Sequence, residues 1–514
     1  MRFSNNHVSN ESDMHRNYFL LNRFYCVVVF IIILFSSCAT VSKTSNPLQQ
    51  KIAPEKLQQD FTLLKKILDA NHPSLYWYTP QDSINYYYNV VYNSLNDSLT
   101  EFQFRSKVAW FVSKIHCGHT SVRASDTYAK YVQQHKQPAF PLYLKVWNDS
   151  LIVIGNLNNR DSILKRGVAI TAIEGMRNRL LLDSMFQFIS TDGYGDNFKN
   201  QVCSFSFPLY YSLAFPLKDS FAITYIDSTG SQQQTYIKLY RTVKDTTKAT
   251  GVKAVLPKPS RKETKDAKLQ RQRSFTVDTG SSLAYMRVAT FTPAHLRSFF
   301  KESFKKLDEN NIPNLVIDLR ENSGGNIMSS ITLARYLKTK SFHAADTVAA
   351  INRSFAYGRY IHPSLPFKLF MFFTTRKKSD GKFHFGYLER HEFTPYSNLH
   401  YNGNIYLLQG GFTFSAAAMF VEFMKDENNV TVVGEETGGG HYGTSAVHLP
   451  DIILPNSKLC VVLPVYRVVI GKNEPHDGRG IQPDVEVLPS SLFIKNGVDG
   501  KLQKVKEMIK EKKE

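Results

Sequence analysis

Between Leu283 and Gly434, short apolar segments with strand character alternate with segments of helical periodicity. A chain that alternates strands and helices in this way builds an α/β core. With 514 residues the chain is too long for one hydrophobic core, so we expect two to four domains. The strand candidates of the core are residues 283–288, 314–320, 404–409 and 431–434.

Two further regions precede this core. Apolar residues recur at helical spacing from Pro54 onwards and again over residues 101–115, which predicts a helical N-terminal region over residues 39–125. Residues 140–242 contain short strands instead, which predict a small β domain. Inside that domain, residues 166–176 and the apolar helix after them resemble the strand, turn and helix of a PDZ-type peptide-binding domain.

A formal net charge of +19 is typical of chains that bind nucleic acid. Its distribution argues against that function, because residues 244–273 hold ten Lys/Arg and three Asp/Glu among few apolar residues. This composition predicts a basic linker or long loop over residues 243–274. A second charged run predicts an exposed C-terminal tail over residues 491–514. We therefore expect no nucleic-acid partner.

The N-terminus has the pattern of a secretory signal. Arg16 and Arg23 precede an apolar run over residues 26–35, and Ser-Ser-Cys follows, ending at Cys38. The run is short for a spanning helix, which favours a signal peptide. Ser-Ser-Cys at its end resembles a bacterial lipoprotein signal, and this resemblance implies a lipoprotein signal peptide over residues 1–38 with Cys38 as the lipid attachment site. The alternative is an uncleaved signal anchor. Both place the bulk of the protein outside the cytoplasm, and the lipoprotein signal predicts an exported, membrane-anchored protein of the bacterial cell envelope that faces the periplasm.

The first candidate for chemistry is Ser415. A strand ends at Gly410, the chain turns, and an alanine-rich helix begins at Ser415. This places a hydroxyl at a helix N-terminus, where unpaired backbone N–H groups favour negative charge. The N–H of Ala416 would then stabilise an oxyanion formed on attack by Ser415. The alternative is structural, because serine is among the most favoured N-cap residues.

A second glycine turn follows the strand at residues 314–320. Glycine has no side chain, so Gly324 and Gly325 could bring backbone N–H groups close to an anion. Both are therefore candidate oxyanion donors. Asp318 and Arg320 are predicted to hold the turn together rather than to take part in chemistry.

The candidate base is His119, at a predicted junction between a helix and a strand. Histidine is the usual general base for a serine nucleophile, and Gly118 beside it suits the wall of a cleft. The alternative is a histidine with a purely structural role.

Together these segments resemble the tail-specific, or C-terminal-processing, serine peptidase family. The motifs that carry the resemblance are CGHT at 117–120, DLRENSGG at 318–325, FSAA at 414–417, VGEETGGG at 433–440 and GRGIQPD at 478–484. The resemblance implies a crotonase-like α/β catalytic domain over residues 275–490 and a PDZ-like domain over residues 140–242. It also implies peptide hydrolysis through an acyl-enzyme on Ser415, with no metal or other cofactor.

The glycine-rich loop departs from the pattern of many members, which carry a catalytic lysine where this chain has Gly440. In this respect the sequence is similar to the tricorn-core branch, in which a histidine from the N-terminal region is the base and a downstream carboxylate supports it. The resemblance then assigns the base to His119 and the carboxylate to Asp477 or Glu474. His441, beside Gly440, is an alternative base or a residue that lines the pocket.

The expected partners are a protein or peptide substrate, bound by its C-terminal tail, and a membrane reached through lipidated Cys38. Two other functions stay open from the sequence. One is a non-catalytic protein that binds peptides or apolar ligands on the same scaffold. The other is an esterase, which shares the nucleophile and the oxyanion donors and differs in substrate.

Overall fold

The computed structural model describes residues 46–241, 261–292 and 294–512. The predicted signal peptide with Cys38, and the first part of the predicted basic linker, fall outside these residues. The chain divides into two compact units, Met1–Gln50 and Lys51–Glu514. In the part of the chain that the structure describes, no helix has the length and apolar character needed to cross a membrane.

The N-terminal region is helical, and the predicted apolar spacing describes its core. Its helices are α1 (Pro54–Asn71), α2 (Gln81–Asn93), α3 (Glu101–Ser113) and α4 (Asp126–Gln134), and strand β1 (Lys51–Ile52) pairs with β2 (Leu99–Thr100). The residues that set the period of α1 are fully buried: Leu57, Phe61, Leu64 and Leu68. After α3, strand β3 (Val122–Arg123) pairs with β21 (Cys460–Val462), which fixes the end of this region to the C-terminal half of the chain.

A middle domain follows. Its strands are β4 (Leu142–Trp147), β5 (Ser150–Asn156), β6 (Ala169–Ile173), β7 (Met176–Arg177), β8 (Ser220–Ile226) and β9 (Gln232–Lys238), and its helices are α5 (Asn178–Phe186) and α6 (Asn197–Ala214). The strands form a sheet in the order β4-β5-β6-β8-β9, with β7 paired to β6. Helix α6 packs along the outer edge of β4, where Val146 N donates a hydrogen bond to Ser204 Oγ (2.8 Å). The PDZ-like character of this domain stays a prediction.

The predicted α/β core is confirmed as a six-stranded sheet. Its strands are β10 (Arg273–Asp278), β11 (Leu283–Val288), β12 (Asn314–Asp318), β17 (Asn404–Gln409), β18 (Val430–Gly434) and β23 (Val485–Glu486), which lie side by side in this order. All neighbours from β11 to β23 are parallel, and β10 is antiparallel to β11. Helices α8 (Leu296–Glu309), α9 (Ile327–Ala334) and α12 (Ala416–Met424) supply buried residues to the same core. The turns after β12, β17 and β18 therefore leave the same edge of the sheet, since parallel strands end on one side.

Two smaller sheets complete the C-terminal half. Their other strands are β13 (Thr347–Ala350), β14 (Ile361–His362), β15 (Arg376–Lys377), β16 (Phe383–His384), β19 (Gly443–Ala446), β20 (Asp451–Ile453) and β22 (Tyr466–Val469). The sheets have the orders β15-β16-β13-β22-β19 and β14-β20-β21-β3. Along the chain, helix α10 (Ser364–Thr374) follows β14 and helix α11 (Gly386–Arg390) follows β16. Strand β19 is an edge strand, and it connects the glycine-rich loop at 437–440 to this part of the fold.

The structure differs from the sequence prediction at both charged segments. The second half of the predicted linker over 243–274 forms helix α7 (Arg261–Gln272), which runs directly into β10. Residues 261–272 lack Gly and Pro and consist mostly of good helix formers, so their charge does not prevent a helix. The predicted tail over 491–514 contains α13 (Ser491–Asn496) and α14 (Gly500–Glu511). Helix α14 buries Val505 and Ile509 against the parallel sheet.

Candidate active site

Ser415 stands at a strained turn between β17 and α12. Its backbone has φ 52° and ψ −126°, although it is not glycine. Such a conformation costs about 1–3 kcal/mol, and it is found most often at functional sites. The Ser415 side chain makes no capping hydrogen bond to α12, and its hydroxyl has no hydrogen-bond partner among the described residues. The structural alternative, an N-cap serine, therefore does not describe this residue.

Neighbouring glycine turns hold the strained turn in place. Phe414 N donates to Asn322 O (3.1 Å), and Thr413 Oγ1 donates to Leu319 O (2.9 Å), which ties the turn to the segment after β12. On the other side, Gly439 N donates to Thr413 O (3.2 Å). These bonds compensate for the backbone strain, because they fix the residues on the N-terminal side of Ser415.

The second turn brings its glycines against Ser415. A Cβ atom on Gly324 would lie 2.7 Å from Ser415 Cβ and 3.1 Å from Ala416 N, so only glycine fits there. The N–H of Gly324 is already used, because it donates to Asn322 Oδ1 (2.8 Å). The N–H groups of Gly325 and Ala416 have no acceptor among the described residues. Of the three predicted oxyanion donors, Gly325 and Ala416 keep available N–H groups, whereas the N–H of Gly324 is engaged with Asn322; the donor roles stay predictions.

His119 lies between α3 and β3, with its imidazole against the ring of Phe414 (4.9 Å between centroids). His119 Nδ1 is 3.1 Å from Thr444 Oγ1, and Thr444 Oγ1 donates its proton to Asp192 Oδ2 (2.7 Å). Because the single hydroxyl proton of Thr444 points to Asp192, His119 Nδ1–H must be the donor to Thr444. The other nitrogen, Nε2, carries no proton in this tautomer and has no partner among the described residues. It is the nitrogen that could accept a proton.

The carboxylate beside His119 is Asp192, which the sequence did not point to. Asp192 Oδ1 lies 4.0 Å from His119 Nδ1 and accepts a hydrogen bond from Gly118 N (2.8 Å). Asp192 lies in the turn between α5 and α6, and an Asp-Gly pair normally indicates an exposed turn. Here the turn is buried because Gly193 packs against Gly478, where a Cβ on Gly193 would be 2.4 Å from Gly478 Cα.

The electrostatics of this pair favour a neutral imidazole. Burial lowers the pKa of His119, and the nearby charge of Asp192 opposes that shift. Burial raises the pKa of Asp192, while His119 and the hydrogen bonds from Thr444 and Gly118 oppose it. The His119 ring is therefore unprotonated, and able to act as a base, at neutral pH.

The two predicted carboxylates lie elsewhere. Asp477 is exposed and its Oδ1 accepts a hydrogen bond from Arg479 N (2.9 Å). Glu474 Oε1 accepts from Lys425 Nζ (2.8 Å). Neither contacts His119 in the described part of the chain.

His441 is held in a charged cluster at the end of α12. Its Nε2 lies 2.7 Å from Lys425 Nζ and 3.0 Å from Glu422 Oε2. Glu422, His441 and Glu474 form the one group among the described residues with ligand atoms close enough to share a metal ion, within 4.8 Å. The ammonium group of Lys425 contacts all three and offsets part of the negative charge of the two carboxylates. Burial lowers the pKa of Lys425, but the hydrogen bond to Glu474 raises it above its ordinary value.

A cavity of about 810 Å³ lies between the middle domain and the central sheet. Phe412, three residues before Ser415, forms part of its wall, and Phe205 of α6 faces Phe412 at 6.3 Å between ring centroids. Lys145 of β4 also lines it and donates to Gln201 Oε1 (2.7 Å). The cavity thus combines an apolar wall with charged groups of both signs, and Lys145 is the cation on the edge strand of the middle sheet.

Comparison with known proteins agrees with this architecture. Residues 282–487 match peptidase family S41, which confirms the predicted resemblance over the C-terminal half of the chain. No curated protein sequence matches the chain. Among solved structures, mature CPAF has a TM-score of 0.61 at 13% identity, covering 89% of this chain and 97% of that chain. The complex of mature CPAF with lactacystin gives 0.60 at 13% identity, covering 89% and 98%.

A third structure, the photosystem II D1 C-terminal processing protease, has a TM-score of 0.40 at 14% identity, covering 88% of this chain and 97% of that chain. That score is too low to support an argument about geometry. The likeness to mature CPAF supports the fold alone, since the identity is low. The roles of the individual residues rest on the geometry described above.

Proposed function

Residues 282–487 belong to peptidase family S41, and from that premise we propose that this protein is a serine-type peptidase with Ser415 as its nucleophile. The observation that carries the proposal is the hydroxyl of Ser415, unpartnered among the described residues, on a strained turn between a strand and a helix. Two available backbone N–H groups, of Gly325 and Ala416, lie on the turns beside it. An exposed-surface or capping serine would have neither feature.

The proposed reaction begins when Ser415 Oγ attacks the peptide carbonyl carbon while His119 Nε2 takes the hydroxyl proton. The N–H groups of Gly325 and Ala416 stabilise the oxyanion that forms. His119 then gives its proton to the leaving amine, which leaves an acyl-enzyme, and water activated by His119 hydrolyses it. Thr444 and Asp192 keep the imidazole in the required tautomer. No hydrogen bond joins Ser415 to His119 among the described residues, so the proposed proton transfer requires the two side chains to come within hydrogen-bond distance when substrate binds.

A fluorophosphonate probe tests whether Ser415 is an activated nucleophile. We expect covalent labelling of the wild-type protein and none of Ser415→Ala, because the probe reacts with an activated serine hydroxyl. Ser298→Ala is the matched control, since Ser298 is exposed on α8 and its hydroxyl donates to His295 O (3.0 Å), far from the strained turn in sequence. Labelling that persists in Ser415→Ala, or is absent from the wild type, contradicts the proposed nucleophile and favours a non-catalytic binding protein.

We further propose that exported proteins or peptides are the substrates and that a free C-terminal carboxylate is recognised in the cavity beside β4. Lys145 supports this proposal, because it is a cation next to the sheet edge. Burial lowers the pKa of Lys145 to about 8, with Glu435 raising it and Lys501 lowering it further. The group is therefore charged at neutral pH and loses its charge as the pH rises above about 8.

The test compares kcat/KM for a peptide with a free C-terminus and for its C-terminal amide. We expect the free peptide to be preferred at about pH 7, and the preference to fall at about pH 9 and in Lys145→Met. Lys238→Met is the control, because Lys238 is an exposed residue of β9 in the same domain. Equal kcat/KM values for the free peptide and its C-terminal amide in the wild type would contradict recognition of the C-terminal carboxylate. The peptidase proposal would not be affected.

A further inference from the structure

Helix α10 is apolar on both of its long faces. Its inner face attaches it to the protein: Met371 is fully buried, and the Phe370 ring lies 5.4 Å from Phe385 and 4.5 Å from His448. A surface helix normally presents polar residues on the side that faces solvent. The solvent-facing side of α10 is apolar instead.

The outer face of α10 is a stripe of large apolar side chains. Leu365, Leu369, Phe372 and Phe373 are 63%, 51%, 57% and 75% exposed. Their spacing of i, i+4, i+7 and i+8 places all four on one face of the helix. Single exposed apolar residues are ordinary, but a contiguous stripe marks an interaction surface.

The groups around this stripe are cationic. Lys368 is the one charged residue within α10, and Arg376 and Lys377, both exposed, follow its last turn. Asp380, in the next turn of the chain, is paired with His384 Nε2 (3.1 Å). Apolar side chains edged by cations complement the interface of an anionic lipid bilayer, where the apolar groups enter the acyl boundary and the cations meet phosphate.

The predicted lipid attachment at Cys38 favours a lipid bilayer, rather than another partner, as the occupant of this surface. Between the predicted attachment residue Cys38 and Lys51, where the larger compact unit begins, the chain reaches at most about 45 Å. A tether of this length holds the protein at high effective concentration beside the bilayer, so that a weak second contact becomes occupied.

We propose that the outer face of α10, with Lys368, Arg376 and Lys377, is a membrane-docking surface that lies on an anionic bilayer. The surface is separate from the candidate active site, and the proposal does not depend on peptidase activity. The other occupant that an apolar face could take, a second copy of this chain, is an outcome of the test below.

The test uses the full-length lipoprotein in vesicles that contain brominated lipid, which quenches nearby tryptophan. Phe373→Trp places the reporter on the stripe, and Leu180→Trp is the matched control, because Leu180 is 61% exposed on α5. In vesicles of phosphatidylcholine with phosphatidylglycerol we expect quenching of the Phe373→Trp signal to exceed that of the control by about two-fold or more. We expect the excess to shrink when phosphatidylglycerol is omitted.

A charge-reversed protein with Lys368→Glu, Arg376→Glu and Lys377→Glu should lose this excess quenching. Its thermal unfolding should match that of the wild type, since all three side chains lie at the surface. Equal quenching at Phe373→Trp and Leu180→Trp overturns the proposal. So does a dimer in detergent that dissociates when Phe372 and Phe373 are both changed to Ser, because the stripe would then bind a second copy.

Discussion

Ser415→Ala and His119→Ala are each expected to lower kcat/KM for a peptide substrate by ~10³- to 10⁶-fold. The reason is that the nucleophile and its base act in one step, so the loss of either removes covalent catalysis. The double variant should be little slower than either single variant, because groups that work as a unit are not additive. Steady-state kinetics on the three purified variants give the comparison.

Circular dichroism melting curves supply the control for folding, since Ser415 sits on a strained turn whose relief could change stability. His441→Ala is the matched histidine control, because His441 Nε2 contacts Lys425 and Glu422 and makes no contact with Ser415 among the described residues. Near-wild-type turnover of His119→Ala together with a large loss in His441→Ala would contradict the assignment of the base.

His119 should also determine how kcat/KM depends on pH at the acid side. Burial lowers the pKa of His119 below its ordinary value. A base must be unprotonated, so kcat/KM should rise with pH through this pKa, and the midpoint of that rise should lie below about pH 6.5, the ordinary value for histidine. An acid limb centred well above about pH 7 would be inconsistent with a buried imidazole in this role.

Asp192→Asn is expected to have the second largest effect, a loss of ~10³- to 10⁴-fold in kcat. An amide in place of the carboxylate has no negative charge to stabilise the imidazolium. Its NH2 group can also donate a hydrogen bond to Thr444 Oγ1, and the Thr444 hydroxyl would then donate towards His119 instead of away from it. His119 Nδ1 would then lose its acceptor. The measurement is kcat at saturating peptide for Asp192→Asn beside Asp477→Asn and Glu474→Gln.

The latter two variants are the controls, because neither carboxylate contacts His119 in the described part of the chain. We expect both to retain most of the wild-type kcat. The kcat of Thr444→Val should lie between the kcat of these two controls and that of Asp192→Asn, since the substitution removes the hydroxyl that links the imidazole to the carboxylate. A larger loss in Glu474→Gln than in Asp192→Asn would return the supporting role to the residue that the family pattern suggested.

The elements built on local periodicity were predictable from the sequence. The spacing in α1 and the apolar strands β11, β12 and β17 depend on which face of each element is buried, and the sequence encodes that pattern residue by residue. The strand, turn and helix around Ser415 are equally local. For this reason the candidate nucleophile and the α/β core could be identified from short segments of sequence alone.

Asp192 could not be found in this way. It lies 73 residues from His119 along the chain and in a different domain, within an Asp-Gly turn that resembles a surface loop. Its burial results from the contact between Gly193 and Gly478, which is a tertiary contact without a local signal. Asp477 and Glu474 were chosen by distance along the chain, and that distance does not determine where a loop side chain points.

The charged segments show that composition alone does not determine secondary structure. Composition alone suggested that residues 261–274 would be solvated, but a helix needs only one weakly apolar stripe when a sheet edge is available next to it. Leu269 of α7 packs against the main core. The high charge of this segment correctly indicated that most of its side chains are exposed. It did not exclude a helix.

The three groups of the candidate site come from three parts of the chain: His119 from the helical region, Asp192 from the middle domain and Ser415 from the central sheet. None of these parts contains all three groups by itself. On the proposed function, a newly synthesised chain therefore has no peptidase activity until all three parts have docked, and it loses that activity when any one of them separates. Completion of the tertiary structure is then itself the activation step.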